Sequence, residues 1–360
     1  MYIFSYHYPL SEVSERFRWL TNCICVGCFA TGGTACRWAL SHLADELRLI
    51  STDDTSLGNV IFPELISNIL GSFIIGLFVA RKERIVKRWP AIYVGITTGF
   101  CGCLTTFSSW ISCSGHFFAY GYIGRGVMTL IVGMACSYTA CDVGHSIGSW
   151  LSDQTRPKSR QDPVVRVEMA NMDPSKTSTR NSSRSSTEDN TDPKRAKNVS
   201  NHQTEFLLAI ASAVILLVTF LALFTLAALE DRKNQSVLFL GLLLSPPFAL
   251  IRYAMGFRNK LHPEFPLYTL FANALGTLLS VICGGLVSAD SVNPSRGTTI
   301  VLEAIVLGAA GSLSTVSSFV NEVRQLKPPL GIRYTSITLL FGLILAIPIK
   351  LIFRSDNGEI

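Results

Sequence analysis

The chain has 360 residues and a net charge of +6; 48% of its residues are hydrophobic and only 16% are charged, against about 25% in soluble domains. Residues 151–205 alone hold ten Lys/Arg and eight Asp/Glu. The remainder is too sparsely charged to solvate a globular surface, which excludes an ordinary soluble protein. Its basic residues cluster in short segments, a topology signal and not a nucleic-acid footprint.

Residues 1–16 form a tail. Glu12 and Glu15 break the basic-then-apolar order of a secretory signal peptide. A spanning helix needs about 20 mostly apolar residues, and nine stretches qualify: 17–37, 58–80, 91–112, 120–146, 206–229, 235–256, 265–288, 299–320 and 331–353. The 36 residues from Trp89 to Gly124 carry no charge. That run is too long for one span, and Ser112-Cys113-Ser114-Gly115-His116 predicts a turn inside it. Segment 151–205 has no Phe, Trp, Tyr or Cys. It cannot bury enough apolar surface to offset its ordering entropy, so a disordered cytosolic linker is expected. Residues 354–360 form the other tail.

Lys/Arg placement sets the orientation. Segment 81–88 has five, the linker ten, 257–264 has Arg258 and Lys260, and 321–330 has Arg324 and Lys327. All fall on one face if the N-terminus is cytosolic, and nine spans then put the C-terminus outside. The ten cysteines all lie in apolar segments and read as small buried hydrophobes. Cys23-x-Cys25 and Cys101-x-Cys103 lack a second pair at zinc spacing.

The chain also repeats itself. GFCGCLTTFSSW (99–110) and GAAGSLSTVSSF (308–319) align at an offset of 209, which also pairs Thr129 with Thr338. Upstream, with gaps, Arg37-Trp38 matches Arg252-Tyr253, and Asn68-x-x-Gly71 matches Asn273-x-x-Gly276. The expected fold is an all-α polytopic membrane protein. Two four-helix repeats, 17–150 and 235–353, are joined by a linking helix, 206–229, whose single extra span inverts the second copy. Inverted repeats place sites near the midplane, at the repeat interface.

The third helix of each unit concentrates Gly and hydroxyl residues. Such residues pack membrane helices in general. A dense block in two copies points instead to a functional break, tolerated only where backbone meets protein or water. Asn68 and Asn273 are mid-span amides, read either as interhelical glue or as pore-lining groups. Arg37 and Arg252 lie near span ends, suited to snorkelling or to attracting anions. Asp142, His145, Glu64 and Glu303 read as interfacial. The spans contain no HExxH, Walker loop or Ser-His-Asp set, so nothing supports an enzyme.

GFCGCLTTFSSW, with Gly32-Gly33-x-x-x-Arg37 and Asn68-x-x-Gly71-Ser72-Phe73 upstream, resembles the fluoride channel family, called Fluc or CrcB in bacteria and FEX in eukaryotes. A fused pair joined by one extra span resembles the eukaryotic arrangement. The resemblance implies a passive plasma-membrane fluoride channel that works as a single fused chain, a pseudo-dimer with two pores. Pore-lining residues would be Asn68, Asn273, Phe107, Trp110 and Phe319, with the hydroxyls of Thr106, Ser108, Thr315 and Ser317. It also implies a structural sodium ion held by the backbone carbonyls of Gly102, Thr105, Gly311 and Ser314. Val316 stands where the family places a second aromatic, so the two pores are expected to differ. Rival readings are a proton-coupled exporter, which would want a mid-span carboxylate in each half, and a non-transporting scaffold or receptor, which would not need the repeated polar block.

Overall fold

The computed structural model describes residues 10–46, 62–154, 214, 218, 232–289 and 293–353. Every regular element among them is helical. Helix α1 is Leu10–Glu46, α2 Leu65–Ala80 and α3 Lys82–Arg88. Helix α4 covers 90–104, with a π-helical turn at Gly95–Phe100, and α5 is Phe107–Ala119. Helix α6 is Ile123–Gln154, α7 Lys233–Arg258 and α8 Leu267–Ser288. Helix α9 covers 296–313, with a second π-helical turn at Ile305–Ala310. Helices α10 (Ser317–Gln325) and α11 (Pro328–Ile352) complete the order.

Among the described residues, seven helical segments are long and apolar enough to cross a membrane, or eight when α2 and the bent α3 count as one. The expected span 206–229 and the linker from 155 to 205 lie outside the described residues.

Three expectations change. First, α1 begins at Leu10, inside the segment read as a tail, and its apolar stretch runs to Ala44 instead of stopping at 37. Second, no turn interrupts 112–116, because α5 is continuous from Phe107 to Ala119. The chain reverses at Gly121, whose φ of +86° is the left-handed conformation that glycine adopts without steric cost. The Tyr122 N–H then closes onto the Phe117 carbonyl at 2.8 Å. Third, 81–88 is not a plain loop: α3 turns 75° away from α2.

Small residues set the helix contacts. In the α2–α6 interface Gly76 lies against the Cys141 backbone and Gly144 against the Phe73 carbonyl, so close that any Cβ would overlap them. This is how membrane helices pack without a hydrophobic drive between them. The central core gathers Phe62, Phe107, Trp110, Ile111, Val316, Phe319 and Tyr334, each at most 1% exposed.

Candidate functional site

The two helix breaks have matching chemistry. After the π turn and one short helical turn, Thr105 and Thr106 adopt extended backbone (φ −95°, ψ 146° and φ −138°, ψ 126°). Ser314 does the same (φ −86°, ψ 156°). Each break is clamped by an asparagine. Asn68 Oδ1 accepts from the Thr106 N–H at 2.8 Å and its Nδ2 donates to the Thr106 carbonyl at 3.2 Å. Asn273 makes the same pair with Thr315, at 2.8 and 3.2 Å. In a continuous helix those N–H groups would bond the carbonyls of Gly102 and Gly311. The amides therefore release both carbonyls from the helical ladder. Each Nδ2 carries a second N–H that the clamp does not use.

The breaks then cap one another. A helix start leaves backbone N–H groups without partners. The Ser108 N–H of α5 donates to Ser314 Oγ at 3.1 Å. The Ser317 N–H of α10 donates to Thr105 Oγ1 at 3.0 Å. Thr105 Oγ1 also lies 3.2 Å from Thr315 Oγ1, and Thr106 Oγ1 lies 3.1 Å from Ser314 Oγ. Thr106, Ser108, Thr315 and Ser317, expected to line a pore, thus fall into two buried hydroxyl clusters, Thr106 and Ser108 with Ser314, and Thr315 and Ser317 with Thr105, each at most 1% exposed.

The aromatics are placed unequally. Phe107 and Phe319 meet edge to face, with centroids 5.7 Å apart. Tyr334 stands edge-on to Phe319 at 5.4 Å, and Gly342 leaves room beside the Phe107 ring. Trp110 is used otherwise. Its Nε1 donates to the Thr129 carbonyl at 2.9 Å, its ring stacks on Phe62, and it fills the space over Gly133. Val316 is fully buried.

Arg37 and Arg252 are not helix-end side chains. Each lies more than a turn inside its helix and is at most 6% exposed. Arg37 donates to the Gly311 carbonyl at 2.9 Å and to the carbonyls of Cys103 and Leu307. Arg252 donates to the Thr98 carbonyl at 2.7 Å, while its Nε and Nη1 are buried without a partner. The two guanidinium groups lie where side chains at Gly311 and Gly102 would stand. Arg252 lines a cavity of about 390 Å³ with Thr98, Ser318 and Glu322. Arg37 lines one of about 230 Å³ with Glu64, Ser109 and Glu303.

Sequence reasoning missed Glu322. Its carboxylate accepts from Thr269 Oγ1 at 2.7 Å, Tyr334 Oη at 2.9 Å and Asn259 Nδ2 at 3.2 Å. It lies in a segment read as a basic loop, and its partners come from three separate stretches, so no spacing announces it. Among the described residues no group of three or more His, Cys, Asp or Glu is placed to hold a metal ion. Neutral backbone carbonyls are the donor type a hard monovalent cation takes; that of Gly311 already accepts from the Arg37 guanidinium at 2.9 Å, and the Arg252 guanidinium lies against Gly102.

The CrcB family model, described as CrcB-like protein, Camphor Resistance, matches residues 24–145 and again 239–348. Fluoride export protein 1 of Candida albicans is 26% identical over 266 residues, 69% of this chain and 58% of that protein. Fluoride-specific ion channel FluC of Serratia proteamaculans is 38% identical over 78 residues, 22% of this chain and 54% of that one. Fluoride-specific ion channel FluC 2 of Parasynechococcus marenigrum is 32% identical over 143 residues, 39% and 90% respectively. The chain thus spans a little over half the length of the first two relatives. No solved structure matches it significantly. With two matches that together cover most of its length and hold both broken helices, the chain belongs to the CrcB family.

Proposed function

We propose that this protein is a passive channel through which fluoride leaves the cytosol, conferring fluoride resistance. The observation that carries the reading is the Phe107–Phe319 pair set between two broken helices and flanked by neutral donors. Ring edges are electropositive, each asparagine keeps an N–H in reserve, and the crossing hydroxyls can turn to donate. A route for an anion needs such partners and no fixed full charge at the constriction, because an ion held too tightly cannot leave. Fluoride enters a cell as neutral HF and ionises inside. A membrane potential then expels it, with about 2.3 kcal/mol per charge per 100 mV, so no pump is required. The names of the related fluoride channels support the same substrate.

The finer reading is nine spans, with inverted four-helix units at 17–150 and 235–353 and a linking helix at 206–229. The N-terminus is cytosolic, the C-terminus outside, and the membrane the plasma membrane. Sodium bound to the carbonyls of Gly102, Thr105, Gly311 and Ser314 would tie the two breaks together. Of two routes, one conducts: the route with Phe107 and Phe319. The other would pass Trp110, whose N–H is spent on Thr129, and Val316, which offers no ring edge. The test is fluoride efflux from proteoliposomes under a potassium diffusion potential. Efflux should far exceed that of protein-free vesicles and exclude chloride; efflux equal to empty vesicles overturns the proposal.

A further inference from the structure

Helix α3 lies outside the broken-helix crossing, and its charge has no counterpart in the second half. Residues 81–88 carry Arg81, Lys82, Arg84, Lys87 and Arg88 against Glu83 alone, whereas 286–293, the equivalent stretch after α8, contain no Lys or Arg. The charge therefore does not come from the repeat. The 75° bend lays α3 along the membrane plane if α2 spans the bilayer. Between α3 and the end of α6 lies a cavity of about 600 Å³, lined by Arg81, Lys82, Arg84 and Lys87, with the carboxylates of Glu83 and Asp153 facing it as well. Arg84 Nη2 bonds the Ser152 carbonyl, which fixes the far wall. Val86 is 37% exposed. Trp89 closes the helix, with the Arg88 guanidinium 5.8 Å from its ring centroid. Tryptophan at that position suits the headgroup level, where one side of the ring is apolar and the other wet.

We propose that this groove binds the phosphate-bearing headgroup of an anionic phospholipid, with the acyl chains running down beside α2 and α6. A cationic cavity, an apolar edge and an interfacial tryptophan at one level fit a lipid better than a soluble phosphate, which would use the charge alone. Each cation near an anionic surface strengthens binding about five-fold. The proposal is independent of what the protein conducts.

The experiment uses the full chain in nanodiscs and reads quenching of tryptophan fluorescence by brominated lipids. The Trp89→Phe variant is subtracted to isolate the Trp89 signal. Brominated phosphatidylglycerol should reach Trp89 at least ten-fold more effectively than brominated phosphatidylcholine. The Lys82→Gln/Lys87→Gln variant should bring the two lipids close to parity, and Lys82→Arg/Lys87→Arg should keep the preference. Equal quenching by both lipids in the unmodified protein, or an unchanged preference in the Lys82→Gln/Lys87→Gln variant, overturns the proposal. So does displacement of the anionic lipid by millimolar inorganic phosphate, which would make a free oxyanion the ligand. None of these outcomes bears on fluoride efflux.

Discussion

Replacing Asn68 by alanine should destabilise the protein far more than loss of an ordinary membrane hydrogen bond. The change deprives the Thr106 N–H and carbonyl of partners at 2.8 and 3.2 Å, in a residue with no exposed surface. Orphaning a buried polar group costs about 1–3 kcal/mol, so two cost about 2–6. Polar contacts between membrane helices average about 0.6 kcal/mol because the separated helices find other partners. Thr106 has no such recourse, since its extended backbone has left the helical ladder. For a chain of 360 residues the loss corresponds to a fall in Tm of about 3–8 °C. The control is Thr31→Val, which removes a 3.4 Å bond to the Gly27 carbonyl one turn back and should shift Tm by less than about 2 °C. The assay is thermal unfolding of the full chain in detergent, followed by tryptophan fluorescence. If Asn68→Ala melts within the range of Thr31→Val, the amides do not hold the breaks, and the release of the Gly102 and Gly311 carbonyls loses its cause.

Gly102→Val and Gly311→Val should each abolish fluoride efflux, because the new side chain would displace the guanidinium of Arg252 or Arg37; normal efflux from both would refute the crossing geometry as essential. Phe107→Ile and Phe319→Ile should remove nearly all efflux at matched expression while Trp110→Ile keeps most of it, and equal partial losses would mean two working routes. A tag inserted within 151–205 should be reached by a membrane-impermeant label only after permeabilisation, and one at Ile360 without it. Labelling of both tags without permeabilisation, or of neither, would overturn the nine-span reading.

The breaks were legible because their cause leaves a repeated mark in the sequence, although each asparagine acts across 38 or 42 residues. Gly102 and Gly311 precede hydroxyl runs, and the asparagine that unhooks each backbone recurs at a recognisable spacing before Gly71 and Gly276. The π turns were not legible, since their causes are long-range: Gly99, for example, presses on the Val26 backbone of α1. The expected turn at 112–116 failed because Ser and Gly serve as packing residues inside a membrane. Gly115 meets the Ala346 side chain, and reversal waits for Gly121. Arg37 and Arg252 were read as helix-end residues because hydropathy truncated their helices. Their targets, carbonyls up to 274 residues away, leave no trace in local sequence. The Phe107–Phe319 contact followed from assuming that each route draws on both halves, not from any pattern in one of them.

The mutual caps bear on how the protein is made. Ser108 and its acceptor Ser314 are 206 residues apart in the chain, and Thr105 and Ser317 are 212 apart. At about 5–20 residues per second of synthesis, roughly 10–40 s pass between the emergence of the first partner and the second. Through that interval the Ser108 N–H of the first broken helix is without its Ser314 cap, at a cost of several kcal/mol in hydrocarbon. A nascent first half is therefore a target for membrane chaperones and proteases. Delays in translating 155–232 should lower the yield of finished protein without touching any residue of the crossing.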